Sequence, residues 1–173
     1  IQPGFLNRLA LTPLRGSALL AGHLTGVVVL GVAQAVFYIS VGLAAGAGFA
    51  AGPAGIPVLL AFAALVSLGF GALGSFFALR SGSGETVQAL FPVFFVFLFI
   101  SSMNAPRDLM AVDWFRALAT LNPVSYLLEL VRSLIITGWD ARALALGLGV
   151  AVAIAAVALA LASRELSRRM TRT

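Results

Sequence analysis

The sequence predicts an all-α fold, a polytopic transmembrane helical bundle. Residues 16–79 carry no charged side chain. As one straight helix they would measure roughly 96 Å, about three times the thickness of a bilayer core. The chain is 61% hydrophobic and 10% charged, whereas soluble domains have about 25% charged residues. The Gly/Pro-rich segment Gly48–Pro57 would divide the charge-free run into two crossings. We therefore expect residues 1–173 to form a single transmembrane domain.

Four segments are long and apolar enough to be predicted as membrane crossings: residues 17–48, 56–79, 86–103 and 143–163. One charged side chain at the bilayer centre costs about 2.5–3.5 kcal/mol, while each Leu, Ile, Phe or Val returns about 0.3–0.6 kcal/mol. Runs without charge are therefore strong indicators of insertion. The first segment is longer than a bilayer requires and is expected to be tilted.

The arginines predict the orientation, because four crossings place both termini on one side. That side would hold Arg8, Arg15, Arg80, Arg164, Arg168, Arg169 and Arg172. The other side would hold Arg107, Arg116, Arg132 and Arg142, each close to an acidic residue. Since cytoplasmic loops carry the excess of Arg and Lys, both termini are expected in the cytoplasm, with the basic C-terminal tail against anionic lipid headgroups.

A short amphipathic helix is predicted at residues 4–14, before the first crossing. Its apolar face would contain Phe5, Leu6 and Leu9. Arg8 is polar, and Pro13 would end the helix at about Thr12. Two roles remain open: the helix packs beneath the bundle, or it docks a cytoplasmic partner.

Residues 107–140 are too charged to cross the membrane and too apolar for a solvated loop. The apolar residues of their first half recur at helical spacing: Trp114, Phe115, Leu118 and Leu121. Asn122 is a favoured N-cap residue and Pro123 a favoured first helical residue, so one helix should end at Leu121 and another begin at Pro123.

The second of these helices would be about 13 residues long, near 20 Å, which is too short to cross. Ser125, Glu129 and Arg132 would form a polar stripe along it, and Gly138 would stop it. The two helices form either a re-entrant hairpin, whose turn must be buried in protein or face water, or a flat interfacial pair.

Three polar residues share one face of the first crossing: His23, Gln34 and Tyr38. Buried polar groups in lipid are costly unless they are paired or hydrated. These side chains are therefore expected either to form hydrogen bonds between helices or to line a substrate path.

Several kinds of chemistry are not expected. The chain has no Cys and one His, which leaves no metal-ligand set and no cysteine nucleophile. Gly69, Gly71 and Gly74 spell G-x-G-x-x-G, but no strand precedes them, so they indicate helix packing rather than a dinucleotide site. There is no P-loop. We expect no catalytic residue, no cofactor on this chain and no nucleic-acid partner.

Three stretches, in order, resemble one family. Gly4–Pro13 is similar to a cytoplasmic coupling helix that ends in Thr-Pro. Residues 88–99, rich in Phe, are followed by S-S-M-N-A-P. Trp114–Arg132 contains the Asn-Pro dipeptide with a spaced Tyr and Arg. Together they resemble the C-terminal portion of a type-2 ABC exporter permease, the family of bacterial drug, antibiotic and polysaccharide exporters.

The resemblance implies an export subunit in the bacterial plasma membrane that moves a drug-like, lipid or polysaccharide substrate. It implies a second permease copy, identical or related, and a separate cytoplasmic ATP-binding subunit that carries ATP and Mg. The residues expected to contact that subunit are Phe5, Leu6, Arg8, Leu9 and Thr12. Two further crossings would precede the coupling helix, and the chain, which begins at Ile1, is expected to be part of a longer protein.

The hairpin turn of this expected exporter would help to shape the exit, through Leu121, Asn122, Pro123 and Tyr126. The phenylalanines at 91, 94, 95 and 97 would offer an apolar surface to the substrate or face lipid. The alternative function is a passive channel or a secondary carrier without an ATPase partner.

Overall fold

The computed structural model of the chain describes residues 16–170, and these residues form helices and connecting turns without strands. The helices are α1 (Gly16–Ala44), α2 (Gly55–Ser81), α3 (Gly84–Ala89), α4 (Phe91–Phe99), α5 (Asp113–Leu121), α6 (Pro123–Arg132) and α7 (Ala141–Met170). A 3₁₀ turn lies at Arg107–Leu109, and a π-helical turn, Ser133–Thr137, extends α6. The predicted all-α fold is confirmed. The predicted helix at residues 4–14 lies outside the described residues.

Three described helices are long and apolar enough to cross a membrane: Ala18–Ala44, Gly55–Ser81 and Ala141–Arg169. They coincide with three of the four predicted crossings. The first ends earlier than residue 48, because the chain turns at Gly46, whose φ of 86° lies in the left-handed region that favours glycine.

The remaining predicted crossing, residues 86–103, stays a prediction. The structure has two short helices there, α3 and α4, which together cover Gly84–Phe99 and measure roughly 24 Å. Pro92 stands in the first turn of α4 and has no backbone N–H to continue the hydrogen bonds of α3. The chain then turns at residues 100–103.

Helix α2 is the centre of the bundle and packs on α1 on one side and on α7 on the other. A Cβ atom on Gly71 would lie 2.8 Å from Cγ1 of Val27 in α1. On Gly69 it would lie 3.3 Å from the backbone nitrogen of Ala155 in α7. The G-x-G-x-x-G pattern is therefore a helix-packing pattern, as the sequence indicated, since each of these glycines permits a close approach.

The bundle has two ends with different chemistry. At the tail end, Arg169 of α7 lies over Gly82, which follows α2. At the hairpin end, the loop at residues 45–54 meets the π-helical turn: the N–H of Ala50 donates to the carbonyl of Ile135 at 3.0 Å. The indole Nε1 of Trp139 donates to the carbonyl of Ala51 at the same distance. Among the described arginines, Arg169 lies at the tail end, while Arg107, Arg116, Arg132 and Arg142 line one cavity at the hairpin end.

Candidate functional site at the hairpin end

The turn between α5 and α6 lies at Asn122, which is 5% exposed. Its Oδ1 accepts a hydrogen bond from the N–H of Val124 at 3.0 Å, which caps α6. Its Nδ2 donates to the carbonyl of Phe97 in α4 at 2.5 Å. The Asn122 side chain therefore caps α6 and also bonds the turn to α4.

The turn reaches far into the bundle. Val124, two residues after Asn122, lines a cavity together with Phe70 and Gly74, which lie in the middle of α2. From Pro123 the chain rises through α6 and the π-helical turn, roughly 20 Å along the helix, until Ile135 meets Ala50 at the hairpin end. The apex of the helix pair therefore lies near the mid-height of α2.

The polar stripe of α6 faces the segment that follows α4. Ser125 is fully buried, and its Oγ accepts a hydrogen bond from the N–H of Ser102 at 3.1 Å. Ser102 Oγ donates to the carbonyl of Ser125 at 3.2 Å. About two turns further, Arg132 Nη2 donates to the carbonyl of Ser102 at 2.6 Å. These bonds satisfy polar backbone groups that would be costly to bury alone.

An ion pair completes this contact. Arg107 donates from Nε and Nη2 to the two carboxylate oxygens of Glu129, at 2.6 and 2.5 Å. The Cζ atom of Arg107 also lies 4.4 Å from the ring centroid of Tyr126, a cation–π distance. The hydrogen bond to Glu129 raises the pKa of Arg107, although partial burial acts in the opposite direction. Arg107 therefore stays positively charged beside its partner.

The other face of α6 is apolar and packs on α7. Leu130 and Leu134 are fully buried there, in a cluster that includes Ala151 of α7. The approach is close at Gly147, where a Cβ atom would lie 2.6 Å from Cβ of Leu130. Helix α6 is thus held on both sides, by hydrogen bonds on one and by apolar packing on the other.

Two apolar cavities adjoin the hairpin. The first, of about 390 Å³, lies between α1, α2 and the hairpin and includes Tyr38, Phe62 and Val131 in its lining. The second, of about 450 Å³, lies between α2 and α4 and is lined mainly by phenylalanines, with Val124 at the hairpin turn. We call them the Tyr38 cavity and the phenylalanine cavity. Both are of the size of small-ligand pockets.

The residues predicted for the substrate path lie in different surroundings. Tyr38 lines the Tyr38 cavity, whereas His23 and Gln34 are exposed on α1 and lie outside the cavities described here. Within the described part of the chain, neither His23 nor Gln34 makes a side-chain hydrogen bond. The predicted hydrogen bonds between helices stay a prediction for both residues.

The other predicted site residues divide by region. Phe5, Leu6, Arg8, Leu9 and Thr12, predicted to contact the ATPase, lie outside the described residues. At the hairpin turn, Leu121 is 81% exposed, while the hydroxyl of Tyr126 donates to the carbonyl of Thr120 at 2.8 Å. Phe91, Phe94 and Phe95 line the phenylalanine cavity. Phe97 is 47% exposed and lies outside it.

Sequence reasoning missed the partners of the polar stripe. Ser102 was assigned no role, and Arg107 was used only to predict the orientation, although both hold α6 through Ser125 and Glu129. Polar residues repeating along one face of an otherwise apolar helix were the available signal, because such a stripe needs a polar partner. In residues 16–170, no group of three or more His, Cys, Asp or Glu forms a metal site.

The long apolar helices, together with the paired short helices at one end, define a polytopic helical membrane protein. The sequence model of the ABC-2 type transporter family matches residues 1–136. The chain therefore belongs to this family of ABC transporter membrane domains, whose members work in general with a partner ATP-binding subunit. No curated protein and no solved structure matches the chain.

Proposed function

We propose that this chain is the transmembrane subunit of an ABC exporter that moves an amphiphilic substrate out of a bacterial cell. The observation that carries the proposal is the family match together with a helix break, Asn122-Pro123, that reaches mid-height of α2. That depth supports the re-entrant hairpin over a flat interfacial pair. Such a hairpin is an element able to open and close a path at one end of the bundle.

The substrate class follows from the cavities. The Tyr38 cavity and the phenylalanine cavity are lined almost entirely by apolar side chains, and apolar walls favour apolar ligand groups. A drug-like molecule or a lipid offers such groups, whereas a polysaccharide does not. We therefore favour drugs or lipids among the candidate substrates.

The ATP-binding subunit would act on the tail end of the bundle. Residues 4–14 end two positions before Gly16, the first residue of α1, and would form the coupling helix that contacts the ATP-binding subunit. ATP and Mg would be bound by that subunit, and this chain would contribute no catalytic group. By the positive-inside rule, the arginines of the tail end, among them Arg80 and Arg169, support a cytoplasmic location for that end.

A movement of α1 would then be transmitted through close contacts between the helices. Helix α1 is 29 residues long, about 43 Å, so it acts as a rigid lever. It meets α2 at Gly71, α2 meets α7 at Gly69, and α7 meets the hairpin at Gly147. Because each contact is between closely packed backbones, a displacement of α1 would shift the hairpin. A second permease copy would complete the pathway.

The coupling helix provides the test. The double variant Arg8→Glu/Leu9→Asp reverses a charge and removes an apolar contact there, and it should abolish co-purification of the ATP-binding subunit and ATP-dependent export. The matched control, Arg172→Glu/Met170→Asp, makes the same changes at the other terminus and should retain both. Unchanged co-purification and export in the first variant would refute the coupling helix. Export that continues without ATP would instead indicate a channel or a secondary carrier.

A further inference from the structure

A third cavity, of about 440 Å³, opens at the hairpin end between the hairpin and the beginning of α7. Its lining includes four arginines, Arg107, Arg116, Arg132 and Arg142. We call it the arginine cavity. Unlike the two apolar cavities, it is lined by many charged and hydroxyl side chains, so its natural occupant is polar.

Two of the four arginines are already neutralised. Arg107 is paired with Glu129. Arg116 lies 3.3 Å from the carboxylate of Asp113 and also donates to the carbonyl of Met110. Their donors are directed to protein acceptors, so neither needs a ligand.

The other two arginines have charge left over. Arg132 uses Nη2 to bond the carbonyls of Ser102 and Met103, while its Nη1 is buried and has no acceptor in the described part of the chain. An unmet donor on a charged group costs more than a neutral one. Arg142 has no ion pair with any residue in 16–170.

Arg142 also occupies an electrostatically unfavourable position. It lies in the first turn of α7, a helix of 30 residues with no acidic residue in that turn, and the amino end of a helix is already positive. The neighbouring Asp140 is engaged with the helix, since its Oδ1 accepts from the N–H groups of Arg142 and Ala143 at 2.9 and 3.2 Å. Asp140 is therefore the anion that caps α7, and the guanidinium of Arg142 has no ion-pair partner of its own among the described residues.

We propose that the arginine cavity binds a phosphate group between Arg132 and Arg142. A phosphate offers several oxygens in the geometry that guanidinium groups bind well, and Thr137 supplies a hydroxyl in the same lining. The phosphate belongs either to a lipid headgroup or to a soluble phosphate compound. Asp108 is the lining carboxylate that neither caps a helix nor forms an ion pair within the described residues, and it opposes the ligand.

The charges of Arg142 and Asp108 predict opposite effects on phosphate binding when each residue is neutralised. The full-length protein is purified in dodecyl maltoside, which contains no phosphate, and phosphatidylglycerol binding is measured by native mass spectrometry and by thermal shift. Arg142→Gln should weaken binding about tenfold, the effect of one charge-assisted hydrogen bond. Asp108→Asn should strengthen it. Arg164→Gln, at the tail end, serves as the matched control and should change nothing.

A second titration, with inorganic phosphate, identifies the source. Displacement of bound phosphatidylglycerol by phosphate supports a site open to soluble phosphates, and retention of the lipid supports a headgroup site. Because the Arg142 side chain makes no hydrogen bond or ion pair with the described residues, Arg142→Gln is expected to fold. Two variants of Arg132 give a second measurement. Arg132→Lys keeps the charge and should weaken binding less than Arg132→Gln does. Equal binding by wild type, Arg142→Gln and Asp108→Asn would overturn the proposal.

Discussion

Arg107 donates two hydrogen bonds to the carboxylate of Glu129, although 22 positions separate the two residues. The pair joins the segment after α4 to the middle of α6, and both side chains are about four-fifths buried. Because the Tyr126 ring covers the guanidinium, the pair is shielded on one side. It is therefore a strong candidate for the contact that fixes the hairpin against α4.

Replacing Glu129 by Gln should destabilise the protein by about 2 kcal/mol, since Arg107 would keep its charge and lose its partner. Thermal unfolding in detergent measures the loss. The control is Asp113→Asn, which breaks a pair with Arg116 whose side chains are 93% and 44% exposed; there we expect a change within about 0.5 kcal/mol. Equal losses in both variants would contradict a special role for the buried pair.

The Asn122 side chain makes two hydrogen bonds, one with the N–H of Val124 and one with the carbonyl of Phe97. Two variants distinguish them. Asn122→Ala removes both the cap of α6 and the bond to Phe97, and should cost about 2–3 kcal/mol. Asn122→Ser keeps an acceptor for Val124 N–H but is too short to reach the carbonyl of Phe97. If its melting temperature does not lie between those of the wild type and Asn122→Ala, the assignment of the two bonds is wrong.

Gly147 permits the close packing of α7 against α6. In Gly147→Ala the new methyl group would lie 2.6 Å from Leu130 Cβ and 2.9 Å from the carbonyl of Tyr126, so we expect destabilisation of about 1–3 kcal/mol and reduced transport. Gly149→Ala, on the same helix, meets nothing within 4 Å and should be neutral or slightly stabilising. Similar behaviour of the two variants would rule out this contact as a restraint on the hairpin.

The orientation of the bundle is testable because the chain contains no native cysteine. Arg142 lies at the hairpin end and Arg164 at the tail end, and both are exposed. In intact cells, a membrane-impermeant thiol reagent should label Arg142→Cys and should label Arg164→Cys only after the cells are opened. The reverse pattern would place the hairpin in the cytoplasm and exclude it as part of an exit.

Much of the fold was predictable from local patterns. Charge-free stretches located α1, α2 and α7, and the dipeptide Asn122-Pro123 located the end of α5 and the beginning of α6. In the phenylalanine-rich stretch, hydropathy did not indicate that the apolar residues divide between two short helices near Pro92 or that the chain turns at Ser101. Hydropathy indicates how readily a segment partitions into lipid. It does not indicate where the backbone hydrogen bonds of a helix end.

By itself, the sequence determined that this chain enters a membrane, where its long helices lie and which side of α6 is polar, since these properties depend on residues close together in the chain. Only the tertiary structure decided that Ser102 meets Ser125, that Arg107 meets Glu129 and that Arg132 and Arg142 share a cavity. Those pairings depend on how helices that are distant in the sequence pack against one another. The local residue pattern of each helix does not specify that packing.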